Sequence, residues 1–298
     1  MTQPARRASA PQTESLVPGE FNLSRDDFRR IAGMIHEEAG IYLPESKAAL
    51  VYARLAKRLR ALQLDAFRDY CSLVEGPNGE RERREMLAAL TTNVTRYFRE
   101  PHHFEHLKTH VLPPLIRDAQ HGGRIRVWSA ACSTGQEPYS AALTILSLWP
   151  EAYRHDVRVL ATDIDPYVIE TGKAAVYSEQ LLEGVPNDMR KRFFEPTNVD
   201  GKTQWRANEA LRSLVAFRPL NLIENWPMRG TFDAIFCRNV VIYFDEPTQQ
   251  RLWQSFAPRL SPTGALYIGH SERVSGPAAE ILVSDGISTY RHQGGSRR

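Results

Sequence analysis

Apolar positions change period along the chain. From Phe28 to Leu90 they recur at three and four residues: Phe28, Ile31, Met34 and Ile35, then Val51, Tyr52, Leu55, Leu59 and Leu62, then Phe67, Tyr70, Cys71 and Val74. That spacing lines one face of a helix. Ser24 followed by Asp27 reads as a helix cap, Gly40 as a stop, and Gly76-Pro77-Asn78-Gly79 as a break before a last helical run over 80–90. A small all-helical domain over 21–91 follows, and 92–122 reads as a linker and helix.

Beyond residue 123 short apolar runs take over, at 125–128, 157–161, 214–217, 232–237 and 264–269, most followed by a turn and a helix-period stretch. This alternation predicts a mostly parallel sheet with helices on its faces, over 123–292. The stretch 124–139 organises it: a strand, a turn from Ala130 to Gly135 built of small residues, then a helix that Pro138 opens and 140–149 continues. Small residues let backbone approach a ligand closely. The next strand ends in Thr162-Asp163-Ile164-Asp165, with a carboxylate where doubly wound sheets hold ribose hydroxyls. Together the two turns point to an adenosyl site.

One stretch interrupts the alternation. Residues 177–194 read as an amphipathic helix, and Asp200-Gly201 before the strand-like 203–207 is a hairpin signal. A small antiparallel insertion over about 195–213 is therefore expected to project, with an edge that could add a partner's strand. Afterwards Asn221, at a strand end, offers an amide donor and acceptor. Helix 247–260 follows, and an antiparallel pair at 281–283 and 288–291 closes the sheet. Residues 1–20 read as a disordered tail and 293–298 as a second tail.

Composition narrows the function. The 298 residues are 42% hydrophobic and 24% charged, with a net charge of only +3, too small for a whole-molecule field that would bind nucleic acid. Three widely spaced cysteines argue against a disulfide framework or zinc site. Residues 1–20 lack an apolar signal core, and no stretch has the length of a membrane span, so a cytoplasmic protein with no membrane insertion is expected, and separately a monomer. Among His102, His103, His106 and His110, pairs at i,i+3 and i,i+4 share a helix face, but no carboxylate or cysteine cluster completes a usual set, and satisfied or exposed histidines are the better reading, with no metal. Lys47, Arg54, Lys57 and Arg58 flank a helix without one acidic residue from 47 to 60, which reads either as a solvated face or as a docking face for an acidic partner.

The assembled motifs resemble the chemotaxis receptor glutamate methyltransferases, the CheR family. The residues that carry the resemblance are Thr91-Thr92-Asn93, Phe98-Arg99-Glu100, Ala131-Cys132-Ser133-Thr134-Gly135, Glu137-Pro138-Tyr139-Ser140, Thr162-Asp163-Ile164-Asp165, Leu220-Asn221-Leu222, Phe236-Cys237-Arg238-Asn239, Ile242-Tyr243-Phe244-Asp245 and Gly269-His270-Ser271-Glu272. Gln136 departs from the family, where Glu-Glu is frequent, while Glu137 is kept. The resemblance implies an α/β fold: a Rossmann-like S-adenosylmethionine-dependent methyltransferase domain with a small antiparallel β-insertion, preceded by a small helical domain. It implies cofactor contacts from Asn93, Thr95, Arg99, Glu137, Asp163, Ile164, Asn221, Leu222, Asn239 and Val240, with Arg99 and Tyr243 bordering the reacting methyl. It also implies docking of the basic helix (Lys47, Arg54, Lys57, Arg58) on the cytoplasmic helices of chemotaxis receptors and, in some members, a receptor C-terminal peptide on the insertion.

The implied reaction moves a methyl group from S-adenosylmethionine to a receptor glutamate, leaving S-adenosylhomocysteine. A carboxylate of pKa about 4.3 is already ionised near neutrality and needs no general base. Alignment and exclusion of water are what remain to be supplied. Among rivals, a dehydrogenase would favour Gly-x-Gly-x-x-Gly and an acidic residue about 20 positions on, whereas only Gly135 is present and Asp163 lies 28 residues beyond it. A nucleic-acid methyltransferase would share the cofactor turns, but the stretch after Cys237 lacks a paired-proline amide-binding turn. A non-enzymatic receptor-binding module would have no need of Arg99, Asp163 and Tyr243.

Overall fold

The computed structural model describes residues 14–295. It divides between Thr91 and Thr92 into two compact units. The first holds α1 (Arg25–Ala39), α2 (Ala48–Leu62), α3 (Phe67–Glu75) and α4 (Glu80–Leu90). Ser24 caps α1 reciprocally: its hydroxyl accepts from the Asp27 N–H at 3.1 Å and the Asp27 carboxylate accepts from the Ser24 N–H at 3.2 Å. The helix-period positions Phe28, Ile31, Ile35, Val51, Leu55, Leu59, Phe67, Tyr70 and Val74 are all buried.

One expectation for this unit is corrected. Residues 14–20 are not a loose tail: the Leu16 N–H donates to the Leu23 carbonyl at 2.8 Å, and the Glu20 carboxylate accepts from Arg60 at 2.7 Å. The rest of that stretch, 1–13, lies outside the described residues, as do 296–298. Arg54 and Arg58 on α2 also have partners within this unit. Arg54 donates to the carbonyls of Leu90 at 2.7 Å and Thr91 at 2.8 Å, the unfilled acceptors at the end of α4. Arg58 forks onto Glu82 at 2.9 and 2.7 Å and reaches Glu85 at 3.3 Å. Both cations tie α2 to α4, while Lys47 and Lys57 are exposed.

The second unit runs through α5 (Pro101–His106), a π-turn, α6 (Leu112–Gln120), β1 (Ile125–Ala130), α7 (Gln136–Leu148), β2 (Val157–Asp163), α8 (Pro166–Ala174), β3 (Val176–Tyr177), α9 (Asn187–Phe193), β4 (Phe194–Val199), β5 (Lys202–Ala207), α10 (Glu209–Arg212), β6 (Val215–Pro219), β7 (Phe232–Cys237), α11 (Glu246–Phe256), β8 (Leu260–Ile268), β9 (Leu282–Gly286) and β10 (Thr289–His292). The main sheet has the order β6-β2-β1-β7-β8-β10-β9. Its first five strands are parallel, and β10 and β9 are antiparallel additions. From β1 the chain winds out to β2 and β6, then crosses back to β7 and β8. The order therefore reverses beside β1, and in such sheets ligands bind outside the carboxyl ends of the strands at that point.

Packing explains why the strands read so plainly. Trp128, fully buried, lies against Trp226, Phe232 and Phe256 with ring centroids 4.8–5.3 Å apart, and its indole N–H donates to Thr162 at 2.9 Å. The insertion is a second sheet of order β3-β5-β4. Its hairpin turns through Asp200 and Gly201, at φ 50 and 75, the left-handed pair that a two-residue turn requires.

Three boundaries differ from expectation. Residues 177–194 are not one helix but a strand end, a 3-10 turn and α9, because Pro186 has no N–H to continue a helix and instead caps α9. Helix α7 begins at Gln136, before Pro138, which occupies its first turn. Helix α11 ends at Phe256, and Leu260 already belongs to β8.

Candidate active site

Carboxyl ends of the parallel strands gather the residues singled out above. The turn after β1 passes through Ala131, Ser133 and Gly135 at φ 63, 49 and 97. A side chain at Gly135 would lie 2.9 Å from the Tyr177 hydroxyl and 3.1 Å from Gly172, so the turn is closed by packing as well as by dihedral preference. Asp163, at the end of β2, accepts from the Ser133 N–H at 2.8 Å and from the Asp165 N–H at 3.0 Å. Burial pushes its carboxyl up to about 6 even so.

Asn93 joins the same network. Its side-chain amide donates to Asp165 at 2.8 Å, and its carbonyl accepts from the Ser133 hydroxyl at 2.8 Å. The Leu220 N–H donates to the Asp163 carbonyl at 2.9 Å, which brings the 220–222 turn alongside. Within that turn the Asn221 amide donates to Glu224 at 2.9 Å and accepts from the Ile223 N–H at 3.3 Å. Ile164, Leu222 and Thr95 are half-buried.

Arg99 sits between two residues of left-handed backbone, Phe98 at φ 50 and Glu100 at φ 55. Non-glycine residues rarely adopt that conformation, and clusters of it mark sites whose geometry the surroundings enforce. The enforcing group is Arg238, at the end of β7. Its Nη1 donates to the Arg99 carbonyl at 2.6 Å and lies 3.0 Å from His103 Nδ1, and its Nε donates to Glu137 at 2.8 Å. The other oxygen of Glu137 accepts from the Ser129 hydroxyl at 2.7 Å. Glu100 in turn accepts from His270 at 3.0 Å; burial opposes its charge, but the His270 bond and the Arg238 cation outweigh it and hold its carboxyl below the usual range.

Glu100, His102 and His103 bring possible ligand atoms within 4.8 Å of one another, a carboxylate neighbour that the helix pattern did not reveal. His103, however, has Nδ1 facing the Arg238 donor and Nε2 facing the Ile287 carbonyl at 3.3 Å, so its neutral ring has no lone pair to offer. Burial and the Arg238 charge bring its pKa down to about 3.

Asn239 and Val240 follow Arg238, and Tyr243 ends a 3-10 turn over Val241–Tyr243. Asn239 is left-handed at φ 60, and its Oδ1 is buried without a hydrogen-bond partner among the described residues. A buried orphan acceptor is costly and calls for a donor. The Asp163 carboxylate, both of whose oxygens retain an acceptor site, suits a pair of ribose hydroxyls, and the Glu137 carboxylate suits an ammonium. Sequence reasoning passed over Glu100 and Glu272 as site groups, although both stood within the quoted motifs; what was missing was their partners, which are distant in sequence.

A small-residue turn, a buried acidic strand end and an orphan acceptor at a reversal of strand order define a doubly wound nucleotide-binding site of the methyltransferase kind. Comparison with known proteins agrees. The family described as CheR methyltransferase, SAM binding domain, matches residues 93–285, and the CheR methyltransferase all-alpha domain matches 26–91. A probable chemotaxis protein methyltransferase of Rhizobium etli is 54% identical over 259 residues, 87% of this chain and 97% of the relative. Chemotaxis protein methyltransferase 2 of Pseudomonas aeruginosa is 42% identical, covering 91% and 94% of the two chains, and the chemotaxis protein methyltransferase of Escherichia coli is 40% identical, covering 89% and 91%. The chain belongs to the CheR methyltransferase family and is an S-adenosylmethionine-dependent methyltransferase. Among the described residues no helix is long and apolar enough to cross a membrane.

Proposed function

We propose that this enzyme esterifies glutamate side-chain carboxylates of chemotaxis receptors, the adaptation chemistry of a sensory pathway. The observation that carries the reading is Arg99. Its guanidinium donates to the Val94 carbonyl at 3.2 Å but pairs with no carboxylate among the described residues, while its backbone is gripped by Arg238. A cation fixed by its main chain and left without an acid is suited to receive one from a substrate.

S-adenosylmethionine, when bound, supplies an electrophilic methyl group. Asp163, Asn239 and the 131–135 turn are the residues suited to hold its ribose and neighbouring atoms, and Glu137 its amino group. Arg99 orients the incoming glutamate, and the Tyr243 hydroxyl adds a second donor. Neither takes a proton, because the carboxylate arrives ionised. One arginine and one hydroxyl hold the nucleophile without quenching it, as several cations would.

The names of the relatives support receptors as substrates. Lys47 and Lys57, exposed on α2 beside the half-buried Arg54 and Arg58, are suited to an acidic receptor face, and β4, an outer strand of the insertion, offers a sheet edge for an extended receptor peptide. Incubation with S-adenosylmethionine and a receptor signalling fragment, followed by peptide mass spectrometry, tests the reading. One methyl is expected on glutamate-containing helical peptides, and methylation confined to lysine or to nucleic acid would overturn it.

A further inference from the structure

Glu272 lies nine residues short of the closing antiparallel pair and carries no role in the reaction just described. It is buried, and among the described residues it pairs with no cation. Its carboxylate is held instead by four backbone N–H groups. Oε2 accepts from Gly269 at 2.6 Å and from Asn239 at 3.0 Å; Oε1 accepts from Val241 at 2.9 Å and from Ile242 at 3.4 Å. Three of these four donors belong to the loop after β7.

That loop carries Asn239, Val240 and Tyr243. It leaves the sheet through the left-handed Asn239, a conformation the chain does not hold by preference. Gly269 is the counterpart just after β8: a side chain there would lie 2.7 Å from the Asn239 side-chain amide nitrogen and 2.8 Å from Glu272 Oε2. Omitting that side chain lets the two strand ends close around one carboxylate. Resting on the site reading above, we propose that Glu272 is the positioning residue of this methyltransferase, an internal anion whose four N–H bonds fix the loop that presents Asn239 to the cofactor and Tyr243 to the glutamate.

The alternative is a carboxylate that merely stabilises the fold, and a double-mutant cycle separates the two. Glu272→Gln keeps the volume but turns an NH₂ toward N–H donors. The full-length E272Q protein is expected to bind S-adenosylhomocysteine roughly tenfold more weakly by calorimetry, the loss of one charge-assisted bond's worth of order. Its single-turnover methyl transfer should fall by a similar factor or more. In E272Q/Y243F the two rate costs should be far from additive, because Glu272 acts through Tyr243. Amide exchange at Asn239, Val241 and Ile242 in the ligand-free protein should quicken.

A lower melting temperature with unchanged affinity and rate, or fully additive rate costs, would overturn the positioning role. If E272Q does not fold, Glu272→Asp, which keeps the charge one methylene short, enters the same cycle with the same expectations at smaller amplitude. Asn239→Ala and Tyr243→Phe are measured alongside. Should both be inert, the site reading itself falls; should they matter while the Glu272 variants do not, only the positioning role falls.

Discussion

Arg238 and Glu137, 101 residues apart in sequence, meet at 2.8 Å in an ion pair whose side chains are 2% and 9% exposed. Burying two charges is costly, and the pair persists because each partner is bonded again, Arg238 to the Arg99 carbonyl and Glu137 to Ser129. Arg238→Leu is expected to destabilise the protein by about 3–5 kcal/mol in denaturant unfolding, since it leaves Glu137 buried and unpaired. Adding Glu137→Leu should recover part of that loss, whereas simple addition of the two costs would contradict the pairing.

Asp163 provides a pH signature. Its carboxyl, raised by burial to about 6, is largely protonated below that pH in the ligand-free protein. If the ionised form accepts the ribose hydroxyls, affinity for S-adenosylhomocysteine should fall as pH drops below about 6, by up to about tenfold per unit, and level off above it. For folding the sign is opposite. A raised carboxyl pKa means that the native state binds the extra proton between the unfolded value near 3.9 and about 6, so this group favours folding at the acid end of that window and loses the contribution as pH rises through it. Titration calorimetry across this range checks the first claim, and Asp163→Asn should abolish the slope.

Reversing Arg58 to glutamate would place three acids together with Glu82 and Glu85, and reversing Arg54 would unsatisfy the end of α4. Each is expected to lower stability by about 1.5–3 kcal/mol, the usual worth of bonds to a charged group. Lys47→Glu with Lys57→Glu should leave melting within about 0.5 kcal/mol of the parent and instead raise the receptor concentration needed for half-maximal methylation. Equal melting for both pairs of variants would undo the distinction drawn between them.

Arg99→Ala and Tyr243→Phe are expected to reduce single-turnover methyl transfer by about 10²-fold or more with little change in melting temperature. Arg99→Lys should rescue poorly, because an ammonium lacks the planar fork that fixes a carboxylate. Wild-type rates in both variants would move the reacting centre elsewhere.

Local pattern made most of the scaffold legible. Phe232–Cys237 is apolar except at Asp233 and is a central strand, and Asp200-Gly201 forms the turn its residue types require. The small-residue turn and Asp163 could be read because their chemistry is carried by residue type and place after a strand. What escaped was set by partners far along the chain. An acid-free helix from 47 to 60 says nothing about Glu82 and Glu85, which α4 brings to Arg58. Nothing near Glu272 announces that its ligands are N–H groups some 30 residues back. The two-residue β3 was hidden for a different reason, being too short for any period to show.

The claim that this enzyme forms a carboxyl ester on a receptor glutamate meets its most direct test in the lability of the product. A receptor signalling fragment is incubated with S-adenosylmethionine carrying a labelled methyl group, isolated, and treated with mild alkali. The account predicts that the label leaves as volatile methanol and that replacing the fragment's glutamates by glutamine prevents its incorporation. Label that enters the fragment but survives alkali would mean methylation of nitrogen, and would contradict the account.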